Sequence, residues 1–239
     1  MVRSHAGEPI HYIKYSMAKI DYYADTFTYF KTLHPTIVNG NVLDYGSNYG
    51  MFLDSSNGNF TQENYTGIDI DEQALLEGKK LFPNATFIHY NGFNHIYNPN
   101  GIKGCRPLLE NEKYDTIISY SVFTHTTIED MLDTIKWLYL KLKPSGKLLL
   151  SWLDVDNAIT NQTFYNKRIK DLGYCDTIKT DDYIYLNDNK LSKTAESKQW
   201  LLLFLKLDFL SSILSDYKHV LVPPPQSAGC IQSCIIIEK

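Results

Sequence analysis

The chain has 239 residues, 44% hydrophobic and 21% charged, which is the size and balance of one globular domain with a substantial core. The formal net charge is -4, and basic residues never gather beyond Lys79-Lys80, Lys141-x-Lys143 and Lys167-Arg168-x-Lys170, so no nucleic-acid partner is expected. Cys105, Cys175, Cys230 and Cys234 lack paired metal spacing and read as reduced thiols of a cytoplasmic protein, while the apolar run Trp200–Leu205 is cut by Lys206 and Asp208, so no membrane insertion is expected.

In chain order, residues 1–10 are polar, and Met17, Ile20, Ala24, Phe27, Phe30 and Leu33 then recur at helical spacing up to His34-Pro35. This predicts a helical cap over residues 1–40, ahead of the main domain at 41–239. In Val42-Leu43-Asp44-Tyr45-Gly46-Ser47-Asn48-Tyr49-Gly50, two apolar residues run into an acid and two spaced glycines. That reads as a buried strand ending in a tight ligand-binding turn. The helix after Gly50 should be short, because Asp54-Ser-Ser-Asn-Gly-Asn59 is a cluster of turn formers.

A second strand, Tyr65-Thr-Gly-Ile-Asp69-Ile70, ends in a carboxylate nineteen residues beyond Gly50. An acid at an offset of about 20 residues reaches a ribose hydroxyl. Asp71 to Phe82 is predicted to be a helix capped by Asp71, with Lys79 and Lys80 in its last turn and Pro83 beyond it. Ala85 to Tyr90 makes a third strand ending at Asn91-Gly92-Phe93, and Asn94 to Lys113 a long loop. Tyr114 to Tyr120 is the fourth strand, Ile128 to Leu142 a helix, and Lys147 to Trp152 the fifth strand. Asp154 to Leu191 is polar and tyrosine-rich without a clear assignment, Thr194 to Leu214 reads as a helix, and 218–222 and 231–238 as two closing strands. Strands alternating with helices mean a parallel sheet.

Asp-x-Gly-x-x-x-Gly at 44–50, followed by Gly-Ile-Asp-Ile-Asp at 67–71, resembles the first two motifs of class I S-adenosylmethionine (SAM) dependent methyltransferases. The Gly-x-Gly-x-x-Gly of dinucleotide folds is absent, and SAM has no pyrophosphate to cradle. One departure is Asn48, which stands where the family has its middle glycine; asparagine tolerates a left-handed backbone, so the turn is expected to survive. The resemblance implies an α/β, three-layer Rossmann-like methyltransferase fold with a mostly parallel seven-stranded sheet and an antiparallel last strand. It implies SAM as cofactor and S-adenosylhomocysteine as product. The cofactor site it implies consists of Asp44, Gly46, Ser47, Asn48, Gly50, Asp69, Ile70, Asn91, Gly92 and Ser119, with Asp69 on the ribose hydroxyls and Asn91 on the adenine amino group.

Ser119-Tyr-Ser-Val-Phe-Thr-His125 resembles the Ser-Val-Phe-Thr-His segment of methyltransferases that modify cell-surface sugars, and lacks the Asn/Asp-Pro-Pro-Tyr motif of amino-methylating enzymes. Oxygen is therefore the expected acceptor atom. An alcohol must lose its proton as it attacks, and histidine, with an ordinary pKa of about 6.5, suits that task, which makes His125 the candidate general base. Tyr12, Tyr15, Tyr120 and Arg168 are the candidate substrate contacts. Asp154, Asp156 and Asn157 resemble part of the magnesium site of catechol-type methyltransferases, but no carboxylate follows strand four, so no metal is expected. The reading is an O-methyltransferase of a small polar acceptor, a sugar or capsule polysaccharide precursor, with the capsular phosphoramidate methyltransferases as one specific case. Its alternatives are methylation at nitrogen or carboxylate of another metabolite, or of nucleic acid, and a SAM-binding but inactive partner protein.

Overall fold

The strands can each be buried on both sides because neighbouring apolar residues face opposite ways along an extended chain. In the computed structural model, which describes residues 40–154 apart from 57, 59, 95–96 and 110–112, together with 176–188, 200–222 and 232–239, this alternation separates two core clusters. Leu43, Ile117 and Leu148 lie in one, while their neighbours Val42, Ile118 and Leu149 lie in the other.

Strands β1 (Val42–Tyr45), β2 (Tyr65–Asp69), β3 (Thr86–His89), β4 (Tyr114–Ser119) and β5 (Leu142–Asp154) form a parallel sheet in the order β3-β2-β1-β4-β5. Beyond β5 come the closing strands, β10 (Gln232–Glu238) antiparallel to β5, and β9 (Lys218–Val222) antiparallel to β10. Strand β9 therefore runs parallel to the first five, and β10 is the reversed strand of the expected seven. The helices α1 (Met51–Ser55) and α2 (Glu72–Leu81) contribute Phe52 and Leu75 to one cluster, whereas α3 (Ile128–Lys141) contributes Met131, Ile135 and Leu138 to the other. Helices thus cover both faces of the sheet, which gives three layers.

Local sequence explains the helix ends. The Asp71 carboxylate accepts the N–H groups of Gln73 and Ala74 at the start of α2, and Thr127 accepts that of Asp130 at the start of α3, satisfying orphan amides that a helix leaves at its N-terminus.

The tail departs from expectation. Residues 194–214 do not form one helix: Trp200–Leu205 is strand β8, and α4 (Leu207–Ile213) begins only after Lys206. A continuous apolar run fits a buried strand as well as a helix, and here it pairs on both edges. Within the stretch left unassigned, β6 (Asp176–Lys179) and β7 (Tyr183–Asp188) form a hairpin whose second strand runs antiparallel to β8. Strand β8 joins the sheet beside the last two residues of β5, with Leu153 opposite Phe204 and Asp154 opposite Leu205. Three strands are thereby added at the carboxyl end of the sheet, for ten in all among the described residues.

Candidate active site

In an open parallel sheet, ligands bind outside the carboxyl ends of the strands, where the strand order reverses. Here that point lies between β1 and β4, with β2 on the far side of β1. Three consecutive features bend the chain after β1: Gly46, Asn48 and Gly50 take φ of 83°, 53° and 88°. All are left-handed, so the asparagine does occupy the conformation that a glycine would otherwise supply. The N–H groups of Gly46 and Ser47 both donate to the Ile68 carbonyl, at 2.8 and 3.0 Å, tying the turn to β2. A Cβ on Gly46 would lie 2.2 Å from Cγ2 of Val122, on the segment after β4. Only a bare backbone lets the two turns touch.

Asp69, at the end of β2, organises the same turn. Its Oδ2 accepts the Asn48 N–H at 2.7 Å and its Oδ1 accepts the Asp71 N–H at 2.9 Å. Burial raises the Asp69 carboxyl above its ordinary range, with those N–H donors pulling the other way. Each carboxylate oxygen has a further lone pair after one such bond, so the group retains capacity for two ligand hydroxyls. The acid, the left-handed turn and the neighbouring strand ends fit a nucleoside with a ribose diol.

Asp44 is almost fully buried and accepts from the Tyr65 hydroxyl at 2.5 Å. Burial, offset in part by that hydrogen bond and reinforced by Asp69, raises its pKa from 3.8 to about 7. Asp44 is placed to brace β1 against β2 from within the sheet. Ile70 is half-buried, and its carbonyl faces the His89 ring at 3.2 Å.

Asn91 is exposed, and its Oδ1 accepts from Nδ2 of Asn98 at 2.9 Å; that nitrogen also donates to the Gly92 carbonyl. The long loop after β3 is internally knitted, since Asn94 and Asn98 exchange backbone hydrogen bonds of 3.1 Å. Ser119, the last residue of β4, is wholly buried, and among the described residues its Oγ has no hydrogen-bond partner. It is a polar atom at the carboxyl edge that a ligand could satisfy.

His125 closes a single 3₁₀ turn, Phe123–His125, with its N–H donating to the Val122 carbonyl at 3.0 Å. Its ring, partly exposed, meets Tyr97 edge to face at 5.9 Å, and Asn94 donates to its carbonyl at 3.4 Å. The loops after β3 and β4 therefore meet at this histidine. Thr127 caps α3 as its position suggests, whereas Thr124 and Thr126 bond back to the carbonyls of Ser121 and Phe123.

Tyr120, expected on the acceptor side, is buried edge-on to Phe52 in the core. Tyr12, Tyr15 and Arg168 lie outside the described residues, as do Asp156 and Asn157. Arg106 is engaged by Asp133 and Thr134 of α3. Asp154 accepts from Ser233 at 3.3 Å, and among the described residues no group of three or more His, Cys, Asp or Glu side chains is placed to hold a metal.

Sequence reading missed one cluster entirely. Ser121 has a left-handed φ of 59°; its N–H donates to Ser151 Oγ at 2.8 Å and its Oγ accepts from Gln232 Nε2 at 3.0 Å. Nothing local marks Ser151 or Gln232, which sit on β5 and β10.

The profile of the family described as "Methyltransferase domain" matches residues 17–188. The chain belongs to that family and is a methyltransferase. No curated protein matches it in sequence. Among solved structures, the glycopeptide N-methyltransferase MtfA complexed with SAM aligns with a TM-score of 0.57 at 13% identity, over 90% of this chain and 92% of that one. Streptomyces venezuelae DesVI gives 0.56 at 13%, over 90% and 91%. A putative O-methyltransferase from Nostoc punctiforme gives 0.60 at 13%, over 90% of this chain and 56% of that one. These proteins share its fold.

Proposed function

We propose that this methyltransferase uses SAM to methylate an oxygen of a small polar acceptor, with a sugar or capsule polysaccharide precursor as the first choice and a phosphoramidate-bearing one as a specific case. The observation that carries the reading is the contact between the two turns, Gly46 against Val122, which sets the Asp69 turn beside the segment that ends in His125. When bound, SAM supplies a methyl carbon on a sulfonium that leaves as the neutral thioether of S-adenosylhomocysteine. Asp69 would hold the ribose hydroxyls, the left-handed turn would lie against the amino-acid portion, and Asn91 and Gly92 would border the base. Positioning is most of what the protein contributes to an in-line displacement. His125 takes the proton that the acceptor hydroxyl loses as its oxygen bonds to the methyl carbon.

Tyr12, Tyr15 and Arg168 are assigned to the acceptor side, with Arg168 offering a planar fork to an anionic group. MtfA is a glycopeptide N-methyltransferase, but the residues after β4 here carry hydroxyls and an imidazole in place of the Asn/Asp-Pro-Pro-Tyr arrangement that cradles an amino group. The test is incubation with methyl-labelled SAM and separate pools of nucleotide sugars, capsule precursors and RNA. Label is expected in a sugar or capsule pool at an alkali-stable ether or a phosphoramidate ester. Label confined to amines or RNA would overturn the reading.

A further inference from the structure

Ser121 is the hinge between β4 and the His125 turn, and it is the non-glycine residue whose left-handed backbone most needs an explanation, because such a conformation persists only where surrounding groups over-determine it. Those groups form a closed ring. The Ser121 N–H donates to Ser151 Oγ at 2.8 Å, the Ser151 hydroxyl donates to Gln232 Oε1 at 2.5 Å, and Gln232 Nε2 donates to Ser121 Oγ at 3.0 Å. Ser151 is 1% exposed and Gln232 6%, so water does not substitute for the missing partner when one is removed. Donation runs in one direction around the ring, an arrangement in which each bond polarises the next. On the other side of the hinge, Thr124 donates to the Ser121 carbonyl at 3.0 Å and is itself 1% exposed, and the His125 N–H then closes on Val122.

We infer that Ser151 and Gln232, borne on the fifth and the reversed last strand, are positioning residues for the methyl-transfer reaction: they lock Ser121 left-handed and thereby aim the His125 turn. The inference rests on the reading of His125 as the base. It assigns to β10, which lies on the far side of β5 from β4, a part in the site beyond completing the sheet. It also explains the buried glutamine that opens this strand, where Gln232 and Ser233 precede Cys-Ile-Ile-Ile.

The test uses the full chain in four forms: wild type, Gln232→Met, Ser151→Ala, and Gln232→Met combined with Ser121→Gly. Amide hydrogen exchange and the His125 ring signals in NMR are the readouts. In Gln232→Met the Ser121 and His125 amides are expected to exchange about 10- to 100-fold faster, while those of Leu148 to Leu150 in mid-β5 stay unchanged. The ring resonances of His125 should shift with them. Ser151→Ala, a smaller change, should act in the same direction. Adding Ser121→Gly, which holds the left-handed conformation without help, should return the His125 amide and ring towards wild type. A general loosening of the core would not be rescued by a glycine at the hinge. Unchanged exchange at Ser121 and His125 in both Gln232→Met and Ser151→Ala would overturn the inference, and so would failure of the glycine to restore them. Failure of the base reading looks different: His125→Ala would transfer label from SAM at the wild-type rate, whatever exchange shows.

Discussion

Asp69 shows how one side chain serves both fold and ligand. Its carboxylate fixes the Asn48 and Asp71 amides, so the turn is in place before any cofactor arrives, and each oxygen keeps a lone pair that could accept from a ligand. Asp69→Ala is expected to leave a folded protein whose affinity for SAM and S-adenosylhomocysteine is weaker by about 1.5 to 3 kcal/mol, the scale of charge-assisted hydrogen bonds. Calorimetry would show this directly, and an unchanged affinity would remove Asp69 from the cofactor site. At this scale the sequence was legible where a residue's chemistry and its spacing pointed the same way. The acid after β2, the left-handed Asn48 and the Asp71 cap could all be read in advance. Ser121 could not, because a serine gives no sign of positive φ. Nor could Ser151 and Gln232, whose partners lie 30 and 111 residues from them along the chain.

At the scale of elements, the first two strands are joined through a buried pair. Asp44 on β1 accepts from Tyr65 on β2, and its pKa is raised to about 7 by burial. A raised acid favours the protonated form in the folded state. Its contribution to stability is fully present below the ordinary carboxyl range and is lost as pH rises through about 7, because the unfolded chain ionises first. The loss at full extent is on the order of 4 kcal/mol. Urea denaturation should therefore show wild type losing stability between about pH 4.5 and 7.5. Asp44→Asn keeps an acceptor for the Tyr65 hydroxyl and should lose distinctly less over the same range. Equal pH dependence in the two proteins would contradict the role given to Asp44. Elements whose period and caps agree, such as α2 and α3, stood out from sequence. The β8 run did not, since six apolar residues in a row carry no period of their own, and the sheet edge beside Leu153 and Asp154 that claims them is a tertiary feature.

At the scale of the molecule, the described residues form a seven-stranded methyltransferase sheet that carries three further strands at its carboxyl end, and the loops after β1, β3 and β4 converge there. The family and the fold make the chain a methyltransferase; the chemistry proposed for it turns on one imidazole. The most direct measurement is the rate of label transfer from SAM to the responsive acceptor pool, across pH, in wild type and His125→Ala. With His125 as base, the variant should bind SAM nearly as well as wild type and turn over about 10²- to 10⁴-fold more slowly. The wild-type rate should fall on acidification, as protonation removes the base, and that acid limb should be missing from the variant. A folded His125→Ala protein with near-wild-type turnover and the same acid limb would contradict the account and leave alignment of the reactants as the enzyme's chief contribution.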